Sequence, residues 1–225
     1  MRRGTAILVF ARAPSPGRAK TRLAAAIGPW RAARLQAGLT LHALRVALAA
    51  AVGPVEIHAA PPGHAFFAAA RRKFPVELAG QRGRDLGERM ERALARALRR
   101  HRAAILIGTD CPDLGAADLR RAARWLRGAT DAAVAPAEDG GYALVAMRKP
   151  RAAVFAQIPW GHSRVYAETA ARLDASGLRW RALRTVWDVD RPEDLARLAK
   201  RRPAFLQRLT RAQVRRPRSA AARRR

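Results

Sequence analysis

Cysteine, aromatic residues and acidic residues are all scarce in this sequence. Among its 225 residues the one cysteine is Cys111, which excludes a disulfide scaffold and favours a reducing compartment, the cytoplasm. Aromatic residues make up 6% of the chain, whereas apolar residues reach 49%. Because apolar runs recur along the chain, we expect a folded body with a sizeable core rather than an intrinsically disordered protein.

Long apolar runs are also lacking. The stretch of low charge over residues 46–55 is far short of the roughly 20 residues that a membrane-spanning helix needs. The apolar run that follows Met1-Arg2-Arg3 stops at Ala11, so we interpret it as a buried strand and not as the core of a signal peptide. No membrane span is therefore expected.

Bases outnumber acids strongly, with 45 Lys and Arg against 17 Asp and Glu, a net charge of +28. Most of these bases are spread along helical segments, which is typical of solvated surfaces. Residues 201–225 contain no acid, and we expect one domain over residues 1–210 followed by a basic, disordered tail over residues 211–225. The tail predicts weak binding to polyanions, and the overall charge favours an anionic substrate such as a nucleotide.

The order of the apolar segments predicts an α/β fold. Strands are expected at residues 5–10, 55–59, 103–108, 132–135, 142–147 and 183–189, and helices at 30–51, 65–73, from 85 onward, 118–126, 164–173 and 192–199. This alternation favours a mixed, mainly parallel sheet with helices on both faces. Ligands of such sheets bind beyond the carboxyl ends of the strands, so the residues that follow each strand are the candidates for chemistry.

The loop after the first strand carries four cations within eleven residues. They are Arg12, Arg18, Lys20 and Arg22, and the loop enters a helix. The free N–H groups of a helix start suit a phosphate, as do a lysine point charge and a bidentate arginine. A P-loop and a dinucleotide fingerprint are both excluded by the glycine spacing. A basic surface loop without a ligand stays open as the alternative.

Asp110 follows the strand at 103–108 directly. A carboxylate held at that edge suits a hard divalent cation, which takes one or two protein carboxylates together with phosphates and water. Asp113 is either a second acid of the site or the cap of the following helix. We expect Cys111 to be packed rather than reactive.

Two more acids, Asp188 and Asp190, follow the last predicted strand. They alternate along an extended chain and so share one side, from which either could reach a metal at Asp110. Asp190 and Glu193 also have the spacing of a capping box, which would make Asp190 the cap of the last helix.

The segment Glu138-Asp139-Gly140-Gly141-Tyr142 is typical of a turn between two strands, and its glycines would let a substrate approach the backbone. Further on, His162 is a candidate general base, although a lone histidine is more often structural. Ser163 is a candidate helix cap.

Five motifs in this order resemble a known family. They are F-A-R-A-P-x-P-G-R-x-K-T-R-L, D-L-G-E-R-M, G-T-D-C-P-D-L, A-E-D-G-G-Y and D-V-D-x-P-E-D-L, between residues 6 and 198. The chain resembles the bacterial glycosyltransferase A-like family associated with radical-SAM/selenodomain proteins, a domain of unknown function. It is similar, more distantly, to phospholactate guanylyltransferases and molybdenum-cofactor nucleotidyltransferases, whose opening is richer in glycine.

The resemblance implies the nucleotide-diphospho-sugar transferase fold. It implies that the loop from Arg12 to Arg22 wraps nucleotide phosphates, and that Asp110 binds a metal together with Asp188 or Asp190. The implied contacts are Arg12, Pro16, Gly17, Arg18, Lys20 and Arg22 for the nucleotide, and Asp139, Gly140, Gly141 and Tyr142 for a small acceptor.

The resulting hypothesis is a transferase that depends on Mg²⁺ or Mn²⁺ and uses a nucleoside triphosphate or nucleotide sugar, with Lys20 and Asp110 as its catalytic residues. Two other classes stay open, a phosphate-ester hydrolase and a non-catalytic protein that binds polyanions or nucleic acid.

Overall fold

The computed structural model describes residues 3–201, which form one seven-stranded sheet with helices on both faces. The strands are β1 (Arg3–Arg12), β2 (Val55–Ala60), β3 (Glu77–Gly80), β4 (His101–Ile107), β5 (Ala132–Pro136), β6 (Tyr142–Met147) and β7 (Trp180–Ala182). The helices are α1 (Thr21–Ile27), α2 (Pro29–Ala50), α3 (Ala65–Lys73), α4 (Leu86–Arg100), α5 (Ala116–Arg127), α6 (Val165–Ala175) and α7 (Pro192–Arg201), with a 3₁₀ turn at Ala152–Val154.

The strand order is β3-β2-β1-β4-β6-β5-β7. Neighbouring strands are parallel except at β6, which runs antiparallel to both β4 and β5. The start of β6 therefore lies at the same edge of the sheet as the ends of β1 and β4. The predicted turn at Asp139-Gly140-Gly141 is confirmed, because it joins β5 to β6.

Side chains of β1 alternate between two cores, one on each face of the sheet. Ile7 and Val9 pack in the core beneath α2 and α5, whereas Leu8 and Phe10 pack in the core beneath α4. Both faces of the central strand are therefore apolar, which is what a sheet covered by helices on both sides requires.

The predicted helices are confirmed within a few residues, including the start of α4. There the Asp85 carboxylate accepts from the backbone N–H of Glu88 at 2.8 Å. The Glu88 carboxylate accepts a hydrogen bond from the backbone N–H of Arg84 at 2.7 Å. In a capping box it would accept instead from the N–H of Asp85, the next residue.

The strand predicted at residues 183–189 is wrong. Strand β7 ends at Ala182, and the next segment contacts the edge of β5 only through single hydrogen bonds and a bridge between Ala137 and Val186. The pairing of β5 with β7 ends at Val134 and Ala182, two residues before Pro136. Because proline has no N–H to donate, regular pairing ends there.

Helix α1 was not predicted from the sequence. The predicted tail at 211–225 and the domain end at residue 210 lie outside the described residues and stay predictions. Within residues 3–201, no helix is long and apolar enough to cross a membrane.

Candidate active site

A cleft of about 990 Å³ lies over the edge of the sheet where β1 and β4 end and β6 begins. Loops that follow the strands line it, as the parallel arrangement leads one to expect. Most of the residues selected from the sequence meet here: Arg12, Lys20, Arg22, Asp110, Asp139, Gly141, Tyr142, Asp188 and Asp190.

Lys20 lies at the centre of the charged part of this cleft. It precedes α1 in a left-handed backbone conformation, with φ 50°, and its side chain is 3% exposed. Its Nζ lies 2.8 Å from Asp110 Oδ1 and 3.9 Å from Asp190 Oδ1. The buried ammonium thus joins the loop after β1 to the acids that follow β4 and β7.

Asp190 is occupied by cations. Arg22 Nη1 donates to Asp190 Oδ2 at 2.7 Å, and Lys20 approaches the other oxygen. The predicted capping box of Asp190 with Glu193 is wrong, since it is the Asp194 carboxylate that accepts from the backbone N–H groups of Asp190 and Arg191, at 2.9 and 2.7 Å. The Asp190 side chain therefore binds the cations Lys20 and Arg22 and does not cap α7.

Asp188 lines the same cleft as Asp190. Unlike Asp190, it forms no ion pair within residues 3–201. Burial raises its pKa to about 6, and the nearby negative charge of Asp139 adds to the shift. The charge of Lys20 lowers the pKa of Asp188 but does not cancel these effects, so the charged form of this partly buried carboxylate remains electrostatically unfavourable. This pair has the charge that a bound cation would neutralise.

Three of the acids converge around Cys111. Burial raises the pKa of its thiol well above the ordinary value, and the charges of Asp110, Asp188 and Asp139 raise it further. The prediction that Cys111 is packed rather than reactive agrees with this shift, because the thiolate is disfavoured. A backbone hydrogen bond of 2.9 Å from Val189 N to Asp110 O joins the two acid-bearing segments.

The turn between β5 and β6 forms another wall. Asp139 Oδ1 accepts from the backbone N–H of Gly141 at 2.9 Å. Gly140 has a φ of 86°, and a Cβ there would lie 1.8 Å from the Ser163 carbonyl oxygen. Gly140 thus permits close packing of the loop before α6. The Tyr142 ring packs edge-on against Trp160 with centroids 6.4 Å apart.

Several residues selected from the sequence do not line the cleft. Pro16, Gly17 and Arg18 are exposed on the outer part of the loop, where Gly17 adopts a φ of 74°. Gly140 does not line the cleft but packs against the backbone of Ser163. The cations of this loop that face the cleft are Arg12, Lys20 and Arg22.

His162 lines the cleft, but its geometry does not favour the general-base role. Its Nδ1 accepts from the backbone N–H of Arg164 at 3.1 Å, so the neutral ring carries its proton on Nε2. Nε2 lies 3.6 Å from Glu168 Oε1. The prediction that Ser163 caps α6 is wrong, because Arg164 precedes that helix and no side chain caps it.

Asp113 binds Arg184 rather than capping α5. Arg184 Nη1 lies 2.7 Å from Asp113 Oδ2, and Arg184 Nη2 lies 2.8 Å from Asp118 Oδ2. Helix α5 instead begins with the Asp118 carboxylate accepting from the backbone N–H of Gly115 at 3.0 Å.

Sequence reasoning missed other residues that line the cleft: Gln36, Arg89, Trp187, Arg191 and Arg197. Arg197 binds Glu138 through both nitrogens and stacks on Trp187 at 4.7 Å. Arg89 lies in the D-L-G-E-R-M motif and Arg191 in the D-V-D-x-P-E-D-L motif, which Trp187 directly precedes, whereas no sequence signal marks Gln36 or Arg197.

The comparisons with known proteins agree with this fold. The model of the family described as "Uncharacterized protein conserved in bacteria (DUF2064)" matches residues 43–162, more than half of the chain. Comparison with the curated proteins gives no match.

Among solved structures, a candidate nucleotide-diphospho-sugar transferase from Desulfovibrio desulfuricans G20 is 31% identical, with a TM-score of 0.80 over 92% of this chain and 97% of that one. A nucleotidyl transferase from Methanothermobacter is 17% identical, with a TM-score of 0.57 over 91% and 99%. A protein of Mycobacterium tuberculosis H37Rv, solved with manganese, is 21% identical, with a TM-score of 0.53 over 89% and 100%. The expected nucleotide-diphospho-sugar transferase fold is therefore confirmed, and the chain belongs to the DUF2064 family.

Proposed function

We propose that this protein is a transferase that uses a nucleoside triphosphate or a nucleotide sugar together with Mg²⁺ or Mn²⁺. The observation that carries the proposal is the unpaired, half-buried Asp188 beside Asp139, next to the segment that bears Asp110. The likeness of the chain to a candidate nucleotide-diphospho-sugar transferase supports the same substrate class.

The donor set fits a metal that binds jointly with nucleotide phosphates. Within the described part of the chain, no group of three or more His, Cys, Asp and Glu is arranged to hold a metal ion. Mg²⁺ and Mn²⁺ are suited to one or two carboxylates, with phosphate oxygens and waters completing the shell. Asp110 and Asp188 would hold the ion, and Asp190 is the weaker candidate because Arg22 and Lys20 occupy it.

The cations of the cleft would hold the phosphates. Arg12 and Arg191 line the cleft without an ion pair among residues 3–201, so both are available to an anionic ligand. Lys20 and Arg22 lie beside them, already ordered by Asp110 and Asp190. Cations fixed in this way can stabilise charge that develops on a leaving phosphate without reorganising.

A divalent ion bound here supplies neutralisation of the phosphate charge in the transition state. The chain's own residues orient the donor: Lys20 and Arg22 contact its phosphates, while the turn from Asp139 to Tyr142 faces the acceptor. Attack at phosphorus gives nucleotidyl transfer, and attack at a sugar carbon gives glycosyl transfer. The more distant similarity to phospholactate guanylyltransferases and molybdenum-cofactor nucleotidyltransferases, the association with radical-SAM proteins and the cytoplasmic location stay predictions.

Binding of nucleotides to single-acid variants tests the proposal. Asp110→Asn and Asp188→Asn should abolish nucleotide binding that depends on Mn²⁺, measured by calorimetry with CTP, GTP and UDP-glucose, while the melting temperature is kept. Asp190→Asn is the comparison variant, and if it alone abolishes binding, Asp190 is the metal ligand instead of Asp188.

If the wild type and all three variants bind nucleotide equally well in the presence of a chelator, the proposed metal site is wrong. Binding that survives these variants but collapses with added salt would identify a polyanion-binding protein instead. Where binding is found, release of pyrophosphate indicates nucleotidyl transfer, and release of a nucleoside diphosphate indicates glycosyl transfer.

A further inference from the structure

Asp110 is backed by a polar network that begins on helix α2. Gln36 and Thr40 lie one turn apart on this helix and are 4% and 0% exposed. Thr109, the neighbour of Asp110, is 6% exposed. Polar side chains that are buried to this extent are held by hydrogen bonds, and here the direction of each bond can be assigned.

The hydroxyl of Thr40 sets the orientation of the Gln36 amide. Thr40 Oγ1 donates its one proton to the backbone oxygen of Gln36 at 2.9 Å. The Gln36 atom that faces Thr40 Oγ1 at 3.5 Å must then be a donor, which identifies it as Nε2. The same Nε2 donates to Thr109 Oγ1 at 3.0 Å.

The Gln36 amide in turn sets the direction of the Thr109 hydroxyl. Because Thr109 Oγ1 accepts from Gln36, its own proton is free to point elsewhere, and the acceptor within reach is Asp110 Oδ1 at 3.4 Å. If the amide were reversed, its oxygen would attract this proton away from Asp110.

Both contacts of the Asp110 carboxylate fall on one oxygen. Oδ1 receives the Thr109 hydroxyl and the Lys20 ammonium, the latter at 2.8 Å. Among the described residues Oδ2 has no hydrogen-bond partner, and the Asp110 side chain is 49% exposed on the cleft. The carboxylate is thus held by Oδ1, and Oδ2 is left to a ligand.

We propose that Gln36 is a positioning residue, which acts through Thr109 to fix Asp110 with Oδ2 available to a divalent cation. This inference rests on the proposed function for the identity of the ligand. Neither Gln36 nor Thr40 touches the cation. Groups that orient a metal-binding carboxylate in this way typically contribute about 10–100-fold to metal affinity.

Substitutions in the network test the inference with Mn²⁺ alone as the probe, its free concentration followed by electron paramagnetic resonance. Gln36→Met keeps the side-chain length but removes the amide, and Thr109→Val keeps the shape but removes the hydroxyl. Each should weaken Mn²⁺ binding about 10–100-fold. Thr109→Ser, which keeps the hydroxyl, should stay within about threefold of the wild type. Unchanged affinity in both Gln36→Met and Thr109→Val, or equal losses in Thr109→Val and Thr109→Ser, would overturn the inference.

A second measurement separates this inference from the proposed function. If the wild type binds Mn²⁺ neither alone nor in the presence of CTP, GTP or UDP-glucose, the proposed metal site fails. The network is then tested by nuclear magnetic resonance of the Gln36 side-chain amide. Slow hydrogen exchange of these protons, lost in Thr109→Val and kept in Thr109→Ser, supports the network, and rapid exchange in the wild type overturns it. Because the Thr109 variants alter a loop rather than α2, they also serve if Gln36→Met fails to fold.

Discussion

Arg184 binds Asp113 across 71 residues of sequence, with Nη1 2.7 Å from the carboxylate and Nη2 2.6 Å from the backbone oxygen. The same guanidinium reaches Asp118 at the start of α5. Arg184 thereby fastens the irregular segment that carries Asp188 to the loop that carries Asp110. The ion pair raises the pKa of Arg184 above its usual value, chiefly through the hydrogen bond to Asp118.

Removing this contact should loosen the site. Arg184→Met leaves Asp118, with a side chain 10% exposed, without its cation. We expect a loss of about 1–2 kcal/mol, allowing for screening at the half-exposed arginine. This corresponds to a fall of about 2–8 °C in melting temperature for a chain of this length. Arg121→Met, on the exposed side of α5, is the control and should change the melting temperature little. Equal effects of the two substitutions would contradict a specific role for Arg184.

The loop before α1 contains a matched pair of cations, Lys20 inside the cleft and Arg18 exposed outside it. Lys20→Ala should weaken triphosphate binding by about 1.5–3 kcal/mol, because a charge-assisted hydrogen bond is lost. Arg18→Ala should bind as the wild type does, and the nucleoside without phosphates should bind both variants equally. Calorimetric titration with the triphosphate and the nucleoside measures these affinities. Equal triphosphate affinities of Lys20→Ala and the wild type would show that the loop is a basic surface that does not bind the phosphates.

A buried carboxylate, Glu56, joins β2 to α4 through an ion cluster. Glu56 is 2% exposed and accepts from His58 Nε2 at 3.2 Å and from Arg100 Nη2 at 2.6 Å, with Arg96 at 3.6 Å. The hydrogen bond from His58 lowers the pKa of Glu56 below its usual value, and the charges of His58 and of both arginines contribute to the shift, against the effect of burial.

This shift predicts the direction of a pH effect. Because the pKa of Glu56 is lower in the folded state, its contribution to stability is complete above the unfolded value of 4.5 and is lost as the pH falls through the folded value. Glu56→Gln should therefore melt below the wild type at pH 6, and the difference in melting temperature should narrow as the pH falls below 4.5. Thermal unfolding across this pH range measures it. A gap that stays constant would show that the charge of Glu56 is not responsible.

Gly140 and Gly161 both adopt a positive φ, so comparing alanine substitutions at the two positions separates backbone strain from a steric clash of the added Cβ. Gly140 and Gly161 have φ of 86° and 96°, but an added Cβ meets the Ser163 carbonyl only at Gly140, and nothing lies within 4 Å at Gly161. Gly140→Ala should therefore destabilise the protein by about 1–3 kcal/mol more than Gly161→Ala, because the loop before α6 must move. Chemical unfolding of both variants provides the comparison, and equal losses would show that backbone strain alone accounts for the effect.

Much of the architecture followed from local patterns in the sequence. Apolar runs located β1 and β4, helical periodicity with Asp85 at its start located α4, and the Asp139-Gly140-Gly141 turn located the β5–β6 hairpin. In an α/β sheet these elements alone imply that residues after the strands meet at one edge. Because of that rule, Asp110, Asp139 and Asp188 stand out as candidate site residues from the sequence alone.

The pairing of charges was decided by the tertiary structure alone. The sequence does not distinguish Asp188 from Asp190 as a metal ligand. In the structure Arg22 and Lys20 form ion pairs with Asp190, whereas Asp188 has none within residues 3–201. The positions of Gln36 behind Asp110 and of Arg184 on Asp113 depend on contacts between segments 71–73 residues apart. Local patterns record which face of an element is apolar, whereas the partner of a polar side chain depends on which elements pack together.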